Sequence, residues 1–111
     1  MDRYLKFYED CLVNDPKIAE AMRQDPFFQT VMYKKAIRKV LLRDWNPIGV
    51  SGLPDDEYDH YLGFVYYFLK NHRPKVEVVE YLLYVEREWM SEEGNRERAL
   101  AVADKLFQLQ H

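Results

Sequence analysis

The fold is decided by one uncharged stretch near the middle of the chain, Tyr61-Leu62-Gly63-Phe64-Val65-Tyr66-Tyr67-Phe68-Leu69. Wound as a helix, this stretch carries apolar or aromatic side chains on nearly every side, which is typical of a helix packed against several neighbours. A membrane span needs about 20 apolar residues, so a stretch of this length predicts a core helix instead. Acidic side chains at 55–59 favour a helix N-terminus just before it. We therefore expect a helix over about 55–71, with its 58–70 segment at the centre of the fold.

Proline and glycine residues divide the rest of the chain into further helices. Asp15-Pro16 and Asp25-Pro26 each place an N-cap residue directly before a proline, which is typical of a helix start. Two prolines and two glycines in residues 44–54 predict the one substantial loop. Apolar residues at helical spacing predict further helices over about 3–13, 16–23, 26–43, 75–90 and 96–109. The expected fold is all-α, a compact bundle of five or six helices that forms a single domain over residues 1–111.

The composition excludes several functional classes. Hydrophobic residues make up 48% of the 111 residues, which is enough to form a core without metal or disulfide support. The single cysteine, Cys11, excludes an intramolecular disulfide, and its apolar neighbours predict a small buried side chain. No apolar signal core follows the N-terminus, so we expect a cytoplasmic protein with no membrane partner. A net charge of −3 argues against a nucleic-acid-binding protein, which would be strongly basic.

A basic stripe, defined by five residues, lies on the third predicted helix. Lys34 and Arg38 form one i,i+4 row, and Lys35, Lys39 and Arg43 form the next row. Like charges at this spacing destabilise a helix by roughly 0.2–0.5 kcal/mol per pair, so helix stability does not explain the pattern. One interpretation is a docking surface for an acidic protein or a phosphate backbone. The other is that the stripe pairs with the glutamate-rich later helices of the same domain.

A cluster of acidic residues at the start of the fourth helix suggests a metal site. Asp56 lies three and four residues before Asp59 and His60, so these side chains share one helix face, as metal ligands must. No second ligand motif completes the set, and capping of the helix N-terminus explains the acids without a metal. We expect no metal and no cofactor. A small metal-binding protein or hydrolase that uses Asp56, Asp59 and His60 is the alternative.

The tyrosines give the sequence a stronger indication of a protein-binding surface than of a catalytic site. Six of them lie on two neighbouring predicted helices and cannot all point inward: Tyr58, Tyr61, Tyr66, Tyr67, Tyr81 and Tyr84. Tyrosine rings exposed together are typical of protein-binding surfaces. The sequence contains no Gly-x-Ser-x-Gly motif and no phosphate-binding glycine loop, so we do not expect an enzyme.

Two motifs carry a resemblance that covers about residues 38–107. They are Leu42-Arg43-Asp44-Trp45-Asn46-Pro47-Ile48-Gly49-Val50 and Asp56-Glu57-Tyr58-Asp59-His60-Tyr61. Together with Val102-Ala103-Asp104-Lys105-Leu106, they resemble a group of small, uncharacterised bacterial helical proteins that share the pattern Trp-Asp-Pro-Ile-Gly-Val followed by Asp-Glu-Tyr-Asp. The chain departs from this pattern at Asn46, which can still cap a loop by accepting hydrogen bonds from backbone amides.

The loop between these motifs is expected to have a structural role. Trp45 should anchor it under the helices, Pro47 should make it rigid, and Gly49 should supply an unusual backbone angle. Asn46 completes this predicted structural loop. Because the loop joins the basic stripe to the acidic helix start, a binding role for the same segment is the alternative.

We therefore expect a non-enzymatic module that binds another protein stoichiometrically. Small acidic proteins of this kind are similar to immunity proteins, which suggests the neutralisation of a bacterial toxin as the specific role. The predicted partner-binding residues form two sets: Lys35, Arg38, Lys39 and Arg43 on one side, and Asp55, Asp56, Tyr58 and Asp59 on the other. A homo-oligomer is an alternative form of partner, and a nucleic-acid-binding regulator that uses the stripe over 34–43 is a further alternative function.

Overall fold

A computed structural model of the chain describes residues 2–90 and 93–109. The helices are α1 (Asp2–Asn14), α2 (Pro16–Gln24), α3 (Pro26–Val40), α4 (Asp59–Lys70), α5 (Lys75–Glu88) and α6 (Arg96–Phe107). At its C-terminal end α3 continues directly into a π-helical turn, Leu41–Trp45. These residue ranges contain no β-strand, so the predicted all-α class and the number of helices are confirmed. Every helix in the described part of the chain is too short or too polar to cross a bilayer.

Aspartate–proline pairs start α2 and α3, as the sequence predicts. The Asp15 carboxylate accepts a hydrogen bond from the Ile18 amide, and Pro16 occupies the first turn. At the next helix the Asp25 carboxylate accepts a hydrogen bond of 2.7 Å from the Phe27 amide. Each carboxylate thereby pairs with an amide that has no partner within its helix.

The fourth helix begins later than predicted, at Asp59 instead of near position 55. The residues from Asp55 to Tyr58 form consecutive turns, in which the Glu57 amide donates to the Pro54 carbonyl. Tyr58 has non-helical backbone angles (φ −105°, ψ 13°) because its ring lies against the loop that precedes the helix. Asp55, Asp56 and Glu57 therefore precede the first turn of α4, and Asp59 alone of this acidic group lies within it.

The described residues divide into two compact units, with the boundary between Tyr33 and Lys34 inside α3. In the first unit α1 packs against α2, and Tyr8 stacks on Phe28 with ring centroids 4.6 Å apart. Cys11 is a buried free thiol in this unit, as its apolar neighbours predict. The single domain expected over the whole chain stays a prediction.

The second unit is built on the packing of α5 against α6. The apolar side chains buried by these two helices are Val78, Val79, Leu82, Leu83, Val85, Ala99, Val102, Ala103 and Leu106. Ala99 and Ala103 lie one helical turn apart, and their small side chains allow close approach of the two helices. The π-helical turn also packs on α6, where the Lys105 ammonium lies 2.6 Å from the Asp44 carboxylate.

The expectation that the 58–70 helix lies at the centre of the fold is wrong. In α4 the buried side chains are Leu62, Val65 and Leu69, all on one face. On the opposite face Phe64 is 60% exposed and Tyr67 is 56% exposed. The more deeply buried helix is α5, which contributes six buried side chains. The apolar residues on all sides of α4 therefore form two different faces: an aliphatic face that is buried and an aromatic face that is exposed.

Candidate protein-binding site

Trp45 and Tyr58 hold the loop that leads into α4. Trp45 is almost fully buried, and its ring centroid lies 5.4 Å from that of Tyr58. The Tyr58 hydroxyl donates a hydrogen bond of 2.7 Å to Asn46 Oδ1 and accepts one of 3.3 Å from the Ile48 amide. Gly49 supplies a left-handed backbone angle, φ +75°, which only glycine adopts without strain. These contacts define a latch between the loop and the start of α4.

Tyr58, one of the predicted partner-binding residues, is buried in the latch and does not lie on the surface. Only 3% of Tyr58 is exposed, so its ring supports the loop and does not line the surface. Burial raises the pKa of the Tyr58 hydroxyl above its ordinary value, and the hydrogen bond from the Ile48 amide opposes this rise. Among the predicted loop residues, Pro47 is buried and Asn46 adopts a left-handed conformation, φ 30°.

The basic stripe and the acidic turn meet at one ion pair. The Arg38 guanidinium donates two hydrogen bonds to the Asp59 carboxylate, of 3.0 Å from Nε and 2.5 Å from Nη2. The side chains of this pair are only 18% and 34% exposed, which favours a structural role. The Lys34 ammonium lies 4.7 Å from the centroid of the Tyr66 ring. Two members of the stripe thus join α3 to α4, through an aspartate and a tyrosine instead of the glutamates of α5.

The remaining members of the stripe are available to a partner. Lys39 and Arg43 are exposed and Lys35 is half-buried. None of these three residues forms an ion pair within the part of the chain that the structure describes. On the acidic side, Asp55 and Asp56 are exposed as well. The sequence-predicted site therefore separates into an internal ion pair and two exposed charged segments.

The residues proposed for metal binding do not form a ligand set. Asp59 is held by Arg38, and the exposed His60 ring packs edge-on against Tyr61 with centroids 5.2 Å apart. Within residues 2–90 and 93–109, no group of three or more His, Cys, Asp or Glu side chains is placed to hold a metal ion. The expectation of no metal and no cofactor stays a prediction.

An aromatic cleft lies on α4 in the second unit. We define it by five residues: His60, Gly63, Phe64, Tyr67 and Phe68. Its volume is about 490 Å³, within the range of pockets that bind small molecules or side chains. A Cβ atom at Gly63 would have no atom within 4 Å, so it would project into open space. The absence of a side chain at Gly63 therefore leaves this part of the cleft unfilled. More than half of Phe64 and of Tyr67 is exposed to solvent.

Tyr81 of α5 supports the aromatic cleft from behind. Its ring centroid lies 5.5 Å from that of Phe64 and 5.7 Å from that of Phe68. Burial in this cluster raises the pKa of the Tyr81 hydroxyl to about 12. Aromatic contacts with Tyr81 therefore join the cleft to α5.

Sequence reasoning missed this cleft, although the sequence carries a signal for it. The five residues recur at positions 60, 63, 64, 67 and 68, which is the spacing of one helix face. The opposite face, with Leu62, Val65 and Leu69, is purely aliphatic. A division between an aliphatic and an aromatic face could have indicated which side was buried and which was left for a partner.

Comparison with known proteins adds no information on function. No protein-family model matches the chain, and no curated protein or solved structure matches it either. The resemblance to the small bacterial helical proteins therefore stays a prediction.

Proposed function

We propose that this chain is a non-enzymatic protein-binding module whose aromatic cleft receives apolar side chains of a partner protein. The observation that carries the proposal is the exposure of Phe64 and Tyr67 around a cleft of about 490 Å³. Exposed apolar patches with a defined pocket are typical of protein-binding sites, and aromatic anchors contribute much of the binding free energy. Of the tyrosines predicted to share a binding surface, Tyr67 lines this cleft, whereas Tyr58 is buried.

The charge distribution favours an acidic partner. Lys34 and Arg38 connect α3 to α4, and the adjacent row of Lys35, Lys39 and Arg43 runs along α3 and the π-helical turn that follows it. Exposed basic side chains accelerate the encounter with an acidic protein and orient it. The proposed partner therefore presents apolar side chains to the cleft and carboxylates to the basic row.

The finer form of the proposal is an immunity protein that neutralises a bacterial toxin by stoichiometric binding. Its support is the small size of the chain, its net charge of −3 and the resemblance described above. This role needs no catalytic residues, since occupying a toxin's functional surface is sufficient to block it.

The experiment is a pull-down from host lysate with the tagged chain and two matched variants. Phe64→Ser removes an aromatic ring from the cleft, whereas Leu100→Ser removes an apolar side chain that is 42% exposed on α6. We expect the original chain and Leu100→Ser to retain the same acidic protein, and Phe64→Ser to lose it. With the purified partner, the loss of an anchoring ring should weaken binding by about 30-fold or more, and added salt should weaken binding of the original chain.

Three outcomes contradict parts of this proposal. Equal capture by Phe64→Ser and Leu100→Ser excludes the cleft as the binding surface. Recovery of the chain alone in a defined oligomer favours self-association. A captured partner that is not a toxin, or whose toxicity is unchanged on binding, excludes the immunity role but not the binding module.

Two alternatives can be tested directly. Isothermal titration with divalent cations tests a site at Asp56, Asp59 and His60, and the absence of heat excludes it. Binding of DNA or RNA that falls with salt, and falls further in Lys39→Glu, would support a nucleic-acid-binding regulator instead.

A further inference from the structure

The aromatic cleft has the geometry of a depression on the outer face of a single helix. Four of its lining residues, His60, Gly63, Phe64 and Tyr67, occupy positions i, i+3, i+4 and i+7 of α4. Four residues at this spacing surround one depression on a helix, and in packed helix pairs such a depression receives a side chain of the facing helix. All four residues are exposed. The cleft therefore has the form by which one helix accepts another.

The glycine in this depression is not required by its own chain. A glycine inside a helix lowers the stability of the helix relative to alanine. Gly63 has no positive φ, and a Cβ atom there would have no atom of the described residues within 4 Å. Neither the backbone angle nor the internal packing therefore explains it. A residue without a side chain does allow the close approach of a bound backbone, which is the use of glycine at many binding surfaces.

The chemistry of the cleft favours a helix over an extended segment as its occupant. An extended segment needs partners for its backbone N–H and C=O groups, whereas a helix pairs these groups internally. The cleft presents mainly carbon, and the described residues contain no strand with which a segment could pair. Polyproline segments repeat their side chains about every 9 Å. Phe64 and Phe68 are one helical turn apart, about 6 Å along the axis, which matches anchors at i and i+4 of a facing helix.

The charges at the two ends of α4 indicate the direction of the facing helix. Asp55 and Asp56 are exposed in the turns before α4, and Lys70 is exposed in its last turn. Within the described residues none of these three forms an ion pair. Acidic side chains are stabilising in the first turn of a helix and basic side chains in the last. An antiparallel helix thus brings its acidic first turn to Lys70 and its basic last turn to the aspartates.

Resting on the protein-binding function proposed above, we propose that the partner segment is an amphipathic α-helix that packs antiparallel along the exposed face of α4. Its apolar anchors recur at i, i+3, i+4 and i+7, and one of them enters the depression at Gly63. The 12 residues of α4 span about 18 Å, so a partner helix of about three to four turns covers this face.

The test is an NMR titration of the isotope-labelled full chain with a helical peptide of about 15 residues. The peptide carries leucines at i, i+3, i+4 and i+7, glutamates in its first turn and lysines in its last, and a lactam bridge on its polar face fixes the helix. We expect saturable shifts at the backbone amides of Gly63, Phe64 and Tyr67. A bridged peptide of the same composition, with its leucines spread around the helix, should bind about tenfold more weakly. Absence of shifts with the first peptide, or equal binding of both, overturns the proposal.

Spin labels on the peptide test the direction of packing. A label at the peptide N-terminus should broaden the amide signals of Lys70 and Asn71, and a label at its C-terminus should broaden those of Asp59 and His60. The reverse pattern overturns the antiparallel arrangement.

Two other occupants of the cleft are distinguished by further measurements. Binding of a proline-rich peptide at the same amides, without binding of the helical peptide, overturns the helical occupant. Sedimentation of the chain alone tests a second copy. A dimer that dissociates in Phe64→Ser would show that a second copy covers the cleft, and would overturn the proposal.

Variants at Gly63 separate binding from folding. Gly63→Leu fills the depression and should weaken binding of the helical peptide by about tenfold or more, with a urea midpoint at or above that of the original chain. Gly63→Ala should raise the midpoint and weaken binding less. Ala101→Leu adds the same side chain at an exposed position of α6 and should leave peptide binding unchanged. Unchanged binding by Gly63→Leu would show that the depression is not the contact, and would overturn the proposal.

This proposal and the protein-binding function fail in different ways. If Phe64→Ser loses the captured partner but the helical peptide does not bind, the protein-binding function stands and the helical occupant is wrong. If Phe64→Ser and Leu100→Ser capture the same partner equally, the cleft is not its binding surface. Peptide binding that depends on Gly63 would still show that α4 accepts a helix.

Discussion

The latch at Tyr58 gives the sharpest test of how the loop is held. In Tyr58→Phe the ring is kept, but the hydroxyl bonded to Asn46 and to the Ile48 amide is lost. Because Tyr58 is buried, its former partners are left without a replacement, which destabilises a protein by about 1–3 kcal/mol. With a typical urea m-value of about 2 kcal/mol/M, the unfolding midpoint should fall by about 0.5–1.5 M.

Tyr67→Phe is the matched control, because Tyr67 is 56% exposed. Its hydroxyl removal should change the free energy of unfolding by less than about 0.5 kcal/mol. Both variants would be followed by circular dichroism in urea. If Tyr58→Phe unfolds at the same midpoint as the original chain, the latch does not hold the loop.

Three further predictions follow from named contacts. Burial raises the pKa of Tyr81 to about 12 and also raises the pKa of Tyr58, so the folded chain holds these protons more tightly than the unfolded chain, in which tyrosine ionises near pH 10. The free energy of unfolding therefore keeps the full contribution of these two tyrosines below pH 10 and decreases as the pH rises from 10 towards 12. In urea titrations across this range, Tyr81→Phe should reduce the decrease. An equal decrease in this variant would show that burial of Tyr81 does not raise its pKa. A double-mutant cycle of Arg38→Ala and Asp59→Asn should give a coupling free energy of about 1–2 kcal/mol, since the pair is partly buried, and a value near zero would show that the pair is not formed. Gly49→Ala should lower the free energy of unfolding by about 1 kcal/mol, because φ is +75° although no neighbouring atom crowds the site; an unchanged urea midpoint would mean that the loop adapts.

Much of the fold follows from local chemistry and could be predicted. Asp15 and Asp25 act as helix caps before prolines, and each sets a helix start to within a residue of the expected position. Apolar spacing located the other helices, since burial of one face is what stabilises a helix in a small protein. The predicted start of α4 is wrong because the Tyr58 hydroxyl is hydrogen-bonded to loop residues 10 and 12 positions earlier in the chain. These contacts outweigh the preference of Asp55 and Asp56 for the first turn of a helix.

The candidate site could be predicted only in part, because sequence spacing fixes which residues share a face but not which face is covered. Arg38 and Lys39 are adjacent and equally basic in the sequence. In the structure the first is bonded to Asp59, whereas the second is exposed. The pairing depends on residues 21 positions apart and on the rotation of two helices, and neither is encoded in local spacing. The same limit applies to Glu86, which is fully buried and forms an ion pair with Arg98. A glutamate on an amphipathic helix gives no sign in the sequence that it will be buried.

The exposure of the aromatic cleft is maintained by contacts along α4 against a hydrophobic driving force. Burying a Phe side chain is worth about 1.5–3 kcal/mol, so a helix free to rotate would turn Phe64 inward. A rotation by one residue, about 100°, would however separate Asp59 from Arg38 and Tyr66 from Lys34. It would also withdraw Leu62, Val65 and Leu69 from the core, and Tyr58 fixes the start of the helix against the loop. The aliphatic face, the ion pair and the latch thus set one rotation for α4, and that rotation leaves the aromatic face outward, where a partner protein can cover it.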